Sequence, residues 1–326
     1  MKSVNLWTRI GLGAGLAVLL AGLTVALRNG YTQHNPGAND MLPRWVATRA
    51  WLLEGLSPYD PAIAARGQRL IYGRPATEPG EDLARFLYLP YAMLFFAGIA
   101  LLPYDWAQAA WMTALVFSLL VVVLLSFRIH RWRPPPWLAA LIAVWAVVVY
   151  PSARAVLLGQ LSVVMVLLVT LAWWSIQTDR DVLAGAALAL STAKPTLAVL
   201  LLPALFAWSL AARRYRLALS LAITLVLLAA FSFVVAPDWP LALYDQAVAY
   251  TGYTEIGSVV NIVTHELIPF LGRPGELLLS AAALLWAGWA WWRARGGETV
   301  RFDYAFAVTI VVTLLVSPRT GTTSQP

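Results

Sequence analysis

Apolar residues run along this chain in blocks separated by polar stretches: 10–27, 86–103, 106–127, 136–150, 161–176, 182–193, 195–210, 216–236, 276–292 and 303–317. A membrane-crossing helix needs about 20 consecutive apolar residues, so several blocks are short. The pattern predicts an all-α polytopic membrane protein of about nine or ten transmembrane segments, read as one domain over residues 1–326. A long polar stretch, 28–85, follows the first block. Within it, residues 42–56 carry apolar positions at helical spacing and predict an amphipathic helix lying on the membrane surface. A second long polar stretch covers 237–275.

Orientation follows from the basic residues of the short loops, because Lys and Arg are retained on the cytoplasmic side. The clearest clusters are Arg128, Arg131 and Arg133, then Arg213, Arg214 and Arg216, then Arg293 and Arg295. Placing these inside, with Lys2 and Arg9, puts 28–85, Tyr150 to Gln160, Lys194, 237–275 and Ser317 to Arg319 outside. The first block could be a signal peptide, but no small-x-small cleavage site precedes Arg28, so a retained span is expected. Blocks 86–103 and 106–127 cannot both cross without moving Arg128 to Arg133 outside. Residues 86–103 are therefore read as re-entrant or interfacial; the alternative is a true span with a local exception to the charge rule. The same rule favours a pair of helices meeting at Lys194 over one long helix through 182–210.

Composition narrows the chemistry. The chain is 60% hydrophobic and 12% charged, against about 25% charged in soluble domains. Its net charge of +7 sits between apolar blocks, not on a solvated face, so nucleic acid is not an expected partner. There is no cysteine, which excludes disulfides, thiolate metal sites and Cys nucleophiles. His34, His130 and His265 lack partners at metal-ligand spacing, and no metal site is expected. A weakly held divalent ion at Asp40 has no second nearby carboxylate to support it. Neither a G-x-G-x-x-G nor a Walker A loop is present, which disfavours a soluble nucleotide-sugar donor.

Lys194 is the lone charge in the run Val182 to Leu210. A lysine at membrane depth costs roughly 3 kcal/mol or more, which marks it as a functional-site candidate. Pro195 lacks an N–H and disfavours the α region for the residue before it, so the helix is expected to break where the charge sits. A cation at a break suits a lipid phosphate. The structural alternative is a lysine that snorkels to an interface after an ordinary proline stop. Asp40 precedes the amphipathic helix, where it is either an N-cap or a general base held at the membrane surface. Tyr59-Asp60-Pro61 reads as a structural turn. The other polar groups assigned to the outer face are Arg154, Gln160, Asp238, Asp245, Asn261, His265, Glu266 and Arg319. A cation for a phosphate and a carboxylate for a hydroxyl, on one side, fit glycosyl transfer from a lipid phosphate.

Several stretches together resemble glycosyltransferase family 87, a group of GT-C polytopic membrane enzymes. They are Asn39-Asp40, Gly55 to Pro61, Tyr88-Leu89-Pro90-Tyr91 continuing to Leu102-Pro103-Tyr104, Gly159-Gln160-Leu161-Ser162, the small-residue run Ala184 to Pro195, and Ser317-Pro318. The resemblance implies a GT-C-like helical bundle with a large first outer loop carrying surface helices. It implies an inverting glycosyltransferase that takes its sugar, mannose foremost, from a polyprenyl phosphate and passes it to a glycan or glycolipid on the extracytoplasmic face of the cell membrane. Asp40 would be the catalytic base. Lys194, with Arg154 or Arg319, would face the phosphate; Gln160, Asn261 and Tyr88 complete the expected substrate-binding set. No cofactor is expected beyond the lipid-linked donor. The family's N-Q-S element is reduced here to Asn261, and its further spans after S-P are missing, so a truncated C-terminus is expected. Broken helices and a midplane lysine also occur in transporters, and a multi-spanning transporter or lipid flippase is the alternative function.

Overall fold

The computed structural model describes residues 5–35, 40–78, 80–251, 255–317 and 319–321. Helix α1 (Leu6–Leu27) runs into a π-helical turn, Arg28–Thr32, and two helices follow, α2 (Leu42–Glu54) and α3 (Pro61–Tyr72). Glycines in the left-handed region end both α2 and α3, Gly55 at φ 69° and Gly73 at φ 71°. Asp60 caps α3 by accepting from the N–H of Ala62 at 2.8 Å, so the expected turn at Tyr59 to Pro61 is a helix start. Next come α4 (Tyr104–Ile129), α5 (Pro136–Val148), α6 (Tyr150–Leu157), α7 (Ser162–Gln177) and α8 (Asp181–Ser191). The remainder is α9 (Pro195–Ala198), α10 (Leu201–Ala211), α11 (Tyr215–Val235), α12 (Trp239–Thr251), β1 (Glu255–Gly257), α13 (Val259–Ile262), a π-helical turn Val263–Leu267, α14 (Gly272–Ala294), α15 (Thr299–Val316) and β2 (Arg319–Gly321).

Ion pairs and hydrogen bonds sort the helix termini into two ends. At one end, Arg28 Nε donates to the Asp105 carboxylate at 2.7 Å and Thr32 Oγ1 to the Asp105 carbonyl at 2.7 Å. These bonds join the end of α1 to the start of α4, so residues between them form an insertion at that end. At the opposite end, Arg214 reaches the carbonyl of Ile176 (2.8 Å) and the carboxylates of Asp179 (3.0 Å) and Asp181 (2.5 Å), tying α7, α8 and α11 together. Trp173 Nε1 and Gln177 Nε2 both donate to Asp303 at 2.7 Å, adding α15 to the same end. His130 packs on Trp173 and Trp208 Nε1 donates to the Ala294 carbonyl at 3.0 Å, so the segments carrying Arg128, Arg214 and Arg293 gather at this one end.

Outward faces are apolar. No residue of α5 is buried, and Trp137, Leu141, Val144 and Trp145 stand exposed on it. A helix that is apolar all round and unburied is one that meets lipid. The nine or ten spans that the sequence pattern predicts are confirmed only in part. Among the described residues, four helices are long and apolar enough to cross: Gly11–Thr32, Tyr104–Ile129, Tyr215–Val235 and Thr299–Val316. A fifth exists if α5 and α6, bent by 56°, count as one. The apolar helices α7, α8 and α10 are shorter. An 11-residue helix such as α8 rises only about 16 Å, against a hydrocarbon core of about 30 Å. Prolines and breaks interrupt the apolar blocks and shorten these helices.

Residues 86–103 contain no α-helix. A 3₁₀ turn, Pro90–Phe95, and further turns fold the segment in, burying Phe86, Tyr91, Met93 and Phe96. That agrees with the re-entrant reading and not with a helical span. The pair reading of 182–210 also holds: α8 stops at Ser191 and α9 begins at Pro195. Helix α8 is fixed by close approach to α11, for a Cβ on Gly185 would lie 2.7 Å from the Leu217 carbonyl oxygen. Small residues permit such contact where lipid supplies no hydrophobic drive between helices.

Candidate active site

Three chain segments meet at the end opposite Arg214: 40–41, 159–162 and 191–196. Gly159 is the pivot. Its φ of +67° is the left-handed conformation that glycine adopts without strain. A Cβ there would sit 2.8 Å from Met41 Cβ and 3.3 Å from the Trp111 ring. Met41 is fully buried against this glycine, and Trp111 Nε1 donates to the Gly159 carbonyl at 2.9 Å. The neighbour of Asp40 is thereby seated on the neighbour of Gln160.

The loop then enters α7 at Ser162, whose Oγ accepts from Lys194 Nζ at 2.6 Å. Lys194 holds φ −124° and ψ 89°, a non-helical conformation immediately before Pro195. The predicted break therefore falls on the lysine itself, and Ser162 ties the charge to the Gly159–Gln160 loop. An ammonium has three donors; one is used, and Lys194 makes no ion pair among the described residues. Tyr91 and Thr192 hydroxyls meet at 2.6 Å, pinning the re-entrant segment to the end of α8. Ser317 Oγ donates to the Thr196 carbonyl at 3.3 Å, which brings the end of α15 to the same break.

Asp40 is half-buried and makes no hydrogen bond among the described residues. Met41, not Asp40, flanks the first residue of α2, and the Asp40 side chain does not cap that helix. The capping alternative is therefore not realised. Gln160 is half-buried, with its side-chain amide unpaired among the described residues. Asn39, the neighbour of Asp40 in the Asn39-Asp40 stretch, lies outside the described residues.

The other candidates are placed elsewhere at this end. Tyr88 is buried: its carbonyl accepts from Tyr59 Oη at 2.5 Å, and the Arg44 guanidinium covers its ring at 4.3 Å. Burial pushes the Tyr59 hydroxyl well above the usual phenol range, with the Asp238 charge adding to the effect, so it stays a donor. Arg154 is exposed on α6 and donates to Tyr150 Oη at 3.0 Å. Asn261 faces its own segment, donating to Glu276 at 3.3 Å and lying 3.3 Å from His265 Nδ1. Arg319 pairs through its backbone with Gly257 across the antiparallel β1–β2 ladder, and its side chain lies outside the described residues. The sequence did not single out Ser162 as the lysine's partner. Its only signal was its place two residues after Gln160.

The sequence profile of glycosyltransferase family 87 matches residues 86–318, more than two-thirds of the chain. The chain belongs to glycosyltransferase family 87. It is a membrane glycosyltransferase, and as such it handles a sugar donor and an acceptor. The family match covers Gly159 to Ser162, Lys194 and Ser317, and it begins after Asp40 and α1–α3. No curated protein and no solved structure matches the chain. Among the described residues no cluster of His, Asp and Glu could hold a metal ion.

Proposed function

We propose that this family 87 enzyme transfers a sugar, mannose foremost, from a polyprenyl phosphate to the hydroxyl of a glycan or glycolipid on the extracytoplasmic face of the cell membrane. The observation that carries the reading is the single-bonded ammonium of Lys194, held by Ser162 beside the loop on which Met41 is seated. The Asp40 carboxylate takes the proton of the acceptor hydroxyl. The hydroxyl oxygen forms the new bond to the anomeric carbon as the carbon–oxygen bond to phosphate breaks. Attack opposite the leaving group inverts that carbon. The electron pair leaves with the phosphate, whose rising negative charge faces Lys194. Gln160, on the connecting loop, supplies hydrogen bonds to sugar or phosphate, and Arg154, Asn261 and Arg319 serve substrate held at the rim. Support for the outward orientation comes from the arginine-closed opposite end, which the positive-inside rule assigns to the cytoplasm.

The test is transfer of radiolabelled mannose from polyprenyl phosphate mannose in membranes, comparing the parent chain with Asp40→Asn and Lys194→Ala. Transfer by the parent that both substitutions remove is expected. Undiminished transfer by either variant overturns that residue's role. Lipid movement without sugar transfer in the parent would favour the transporter reading.

A further inference from the structure

The arginine-closed end holds a shallow cavity of about 740 Å³ between the N-terminal turns of α8 and α11. Arg180, Arg214 and Arg216 line it, with Asp179 and Asp181. Arg214 is committed to both carboxylates and to the Ile176 carbonyl. That leaves Arg180 and Arg216 exposed, with no carboxylate partner among the described residues. Arg180 lies over the Trp174 ring at 4.8 Å, which holds its charge near the bundle surface. The rest of the lining is apolar: Val182, Leu183 and Ala186, with Val182 63% exposed.

We propose that this cavity binds an anionic phospholipid of the surrounding leaflet. The phosphate sits against Arg180 and Arg216, and an acyl chain follows Val182, Leu183 and Ala186 along α8. Cations at the rim and an apolar floor match the two halves of a lipid, as basic pockets between membrane helices do. A free phosphate would leave the apolar floor in water, so the lipid is the occupant that accounts for the whole lining. The site is separate from the Lys194 end and does not depend on the reaction proposed there.

The test is the thermal midpoint of the purified protein in neutral detergent, titrated with phosphatidylglycerol, phosphatidylcholine or inorganic phosphate. The parent is expected to gain several degrees with phosphatidylglycerol and much less with either of the others. The variant Arg180→Gln/Arg216→Gln is expected to need roughly tenfold to thirtyfold more phosphatidylglycerol for half the gain, two surface charges having been removed. An equal gain with phosphatidylcholine, a full gain with inorganic phosphate, or a parent-like response of the variant would overturn the proposal. Native mass spectra of the parent give the same answer without a variant. Preferential retention of phosphatidylglycerol supports the site, and equal retention of both lipids sinks it.

Discussion

At the arginine-closed end, Arg214 meets two carboxylates and a carbonyl, and Asp303 accepts from two donors on α7. At the opposite end, Lys194 holds a single hydroxyl, while Asp40 and Gln160 hold nothing among the described residues. Both ends sit on the same helices, so the contrast is not one of packing density. One end uses its charges to join helices. The other uses close backbone contact, glycine on methionine, to position groups that keep their hydrogen-bonding capacity. Charges held in place with spare valence are what a transition state can use, because their stabilisation is not already satisfied in the resting protein.

The largest expected effect tests that difference directly. Lys194→Ala should lower sugar transfer roughly 10²- to 10³-fold, about 3 kcal/mol or more in the barrier. It should leave the thermal midpoint almost unchanged, since one hydroxyl bond is lost. Asp40→Asn should cost roughly 10²- to 10⁴-fold, again with an intact fold. Arg214→Ala should do the reverse. Removing it strands Asp181, whose side chain is 15% exposed, and an abandoned ion-pair partner costs on the order of 3 kcal/mol in stability. The folded fraction of Arg214→Ala should keep its transfer rate per active molecule. A comparison of thermal midpoints and rates for the three variants decides the matter. A Lys194→Ala protein that melts early with normal turnover would erase the distinction between the ends.

The sequence made parts of this contrast legible and hid others. The break at Lys194 could be read because Pro195 acts locally on the backbone before it. The two ends could be sorted because arginine clusters tend to share one end, and the Arg214 network gathers the termini of α7, α8 and α11 there. The full span count is not confirmed, since apolar composition does not reveal that α8 and α10 are only 11 residues each. Residues 86–103 showed their proline and aromatic content, but not that Tyr91 would reach Thr192, 101 positions away. Ser162 and Met41 stayed hidden for the same reason. Their roles exist only through partners far away in the chain, and nothing local in a serine or a methionine announces such a partner.

Gly159 sharpens the comparison at a smaller scale. Gly159→Ala must hold a non-glycine residue in the left-handed region, at about 1–3 kcal/mol, and must also push Met41 from a 2.8 Å contact. We expect a modest fall in the thermal midpoint but a disproportionate loss of transfer, because Met41 and Gln160 shift together. Gly55→Ala is the control. It shares a positive φ of 69°, but a Cβ there meets nothing within 4 Å. If both variants lose transfer equally, the glycine–methionine contact has no special part in positioning the site.

The smallest expected effect concerns how the insertion at the Lys194 end holds its own shape. Glu81 accepts from Arg74 Nη2 at 2.7 Å and from the N–H groups of Thr77 (2.8 Å) and Glu78 (3.0 Å). Foremost the Arg74 bonds, then these amides, hold its carboxyl down to about 2. A carboxylate with a depressed folded-state value binds its proton more readily when unfolded. Its contribution is therefore fully present above the ordinary value of 4.5 and is lost as pH falls through about 2. Hydrogen exchange, corrected for intrinsic rates, should show protection of the Thr77 and Glu78 amides that is flat from pH 7 to 5 and declines from pH 4.5 downward. In Glu81→Gln that protection should be low throughout and free of this decline. Transfer by Glu81→Gln at neutral pH should stay close to the parent's, because the clasp lies within the insertion and touches none of the groups around Lys194. A variant that loses both protection and transfer would mean that the insertion's local order reaches the site, and that the Lys194 end depends on ion pairs as the Arg214 end does.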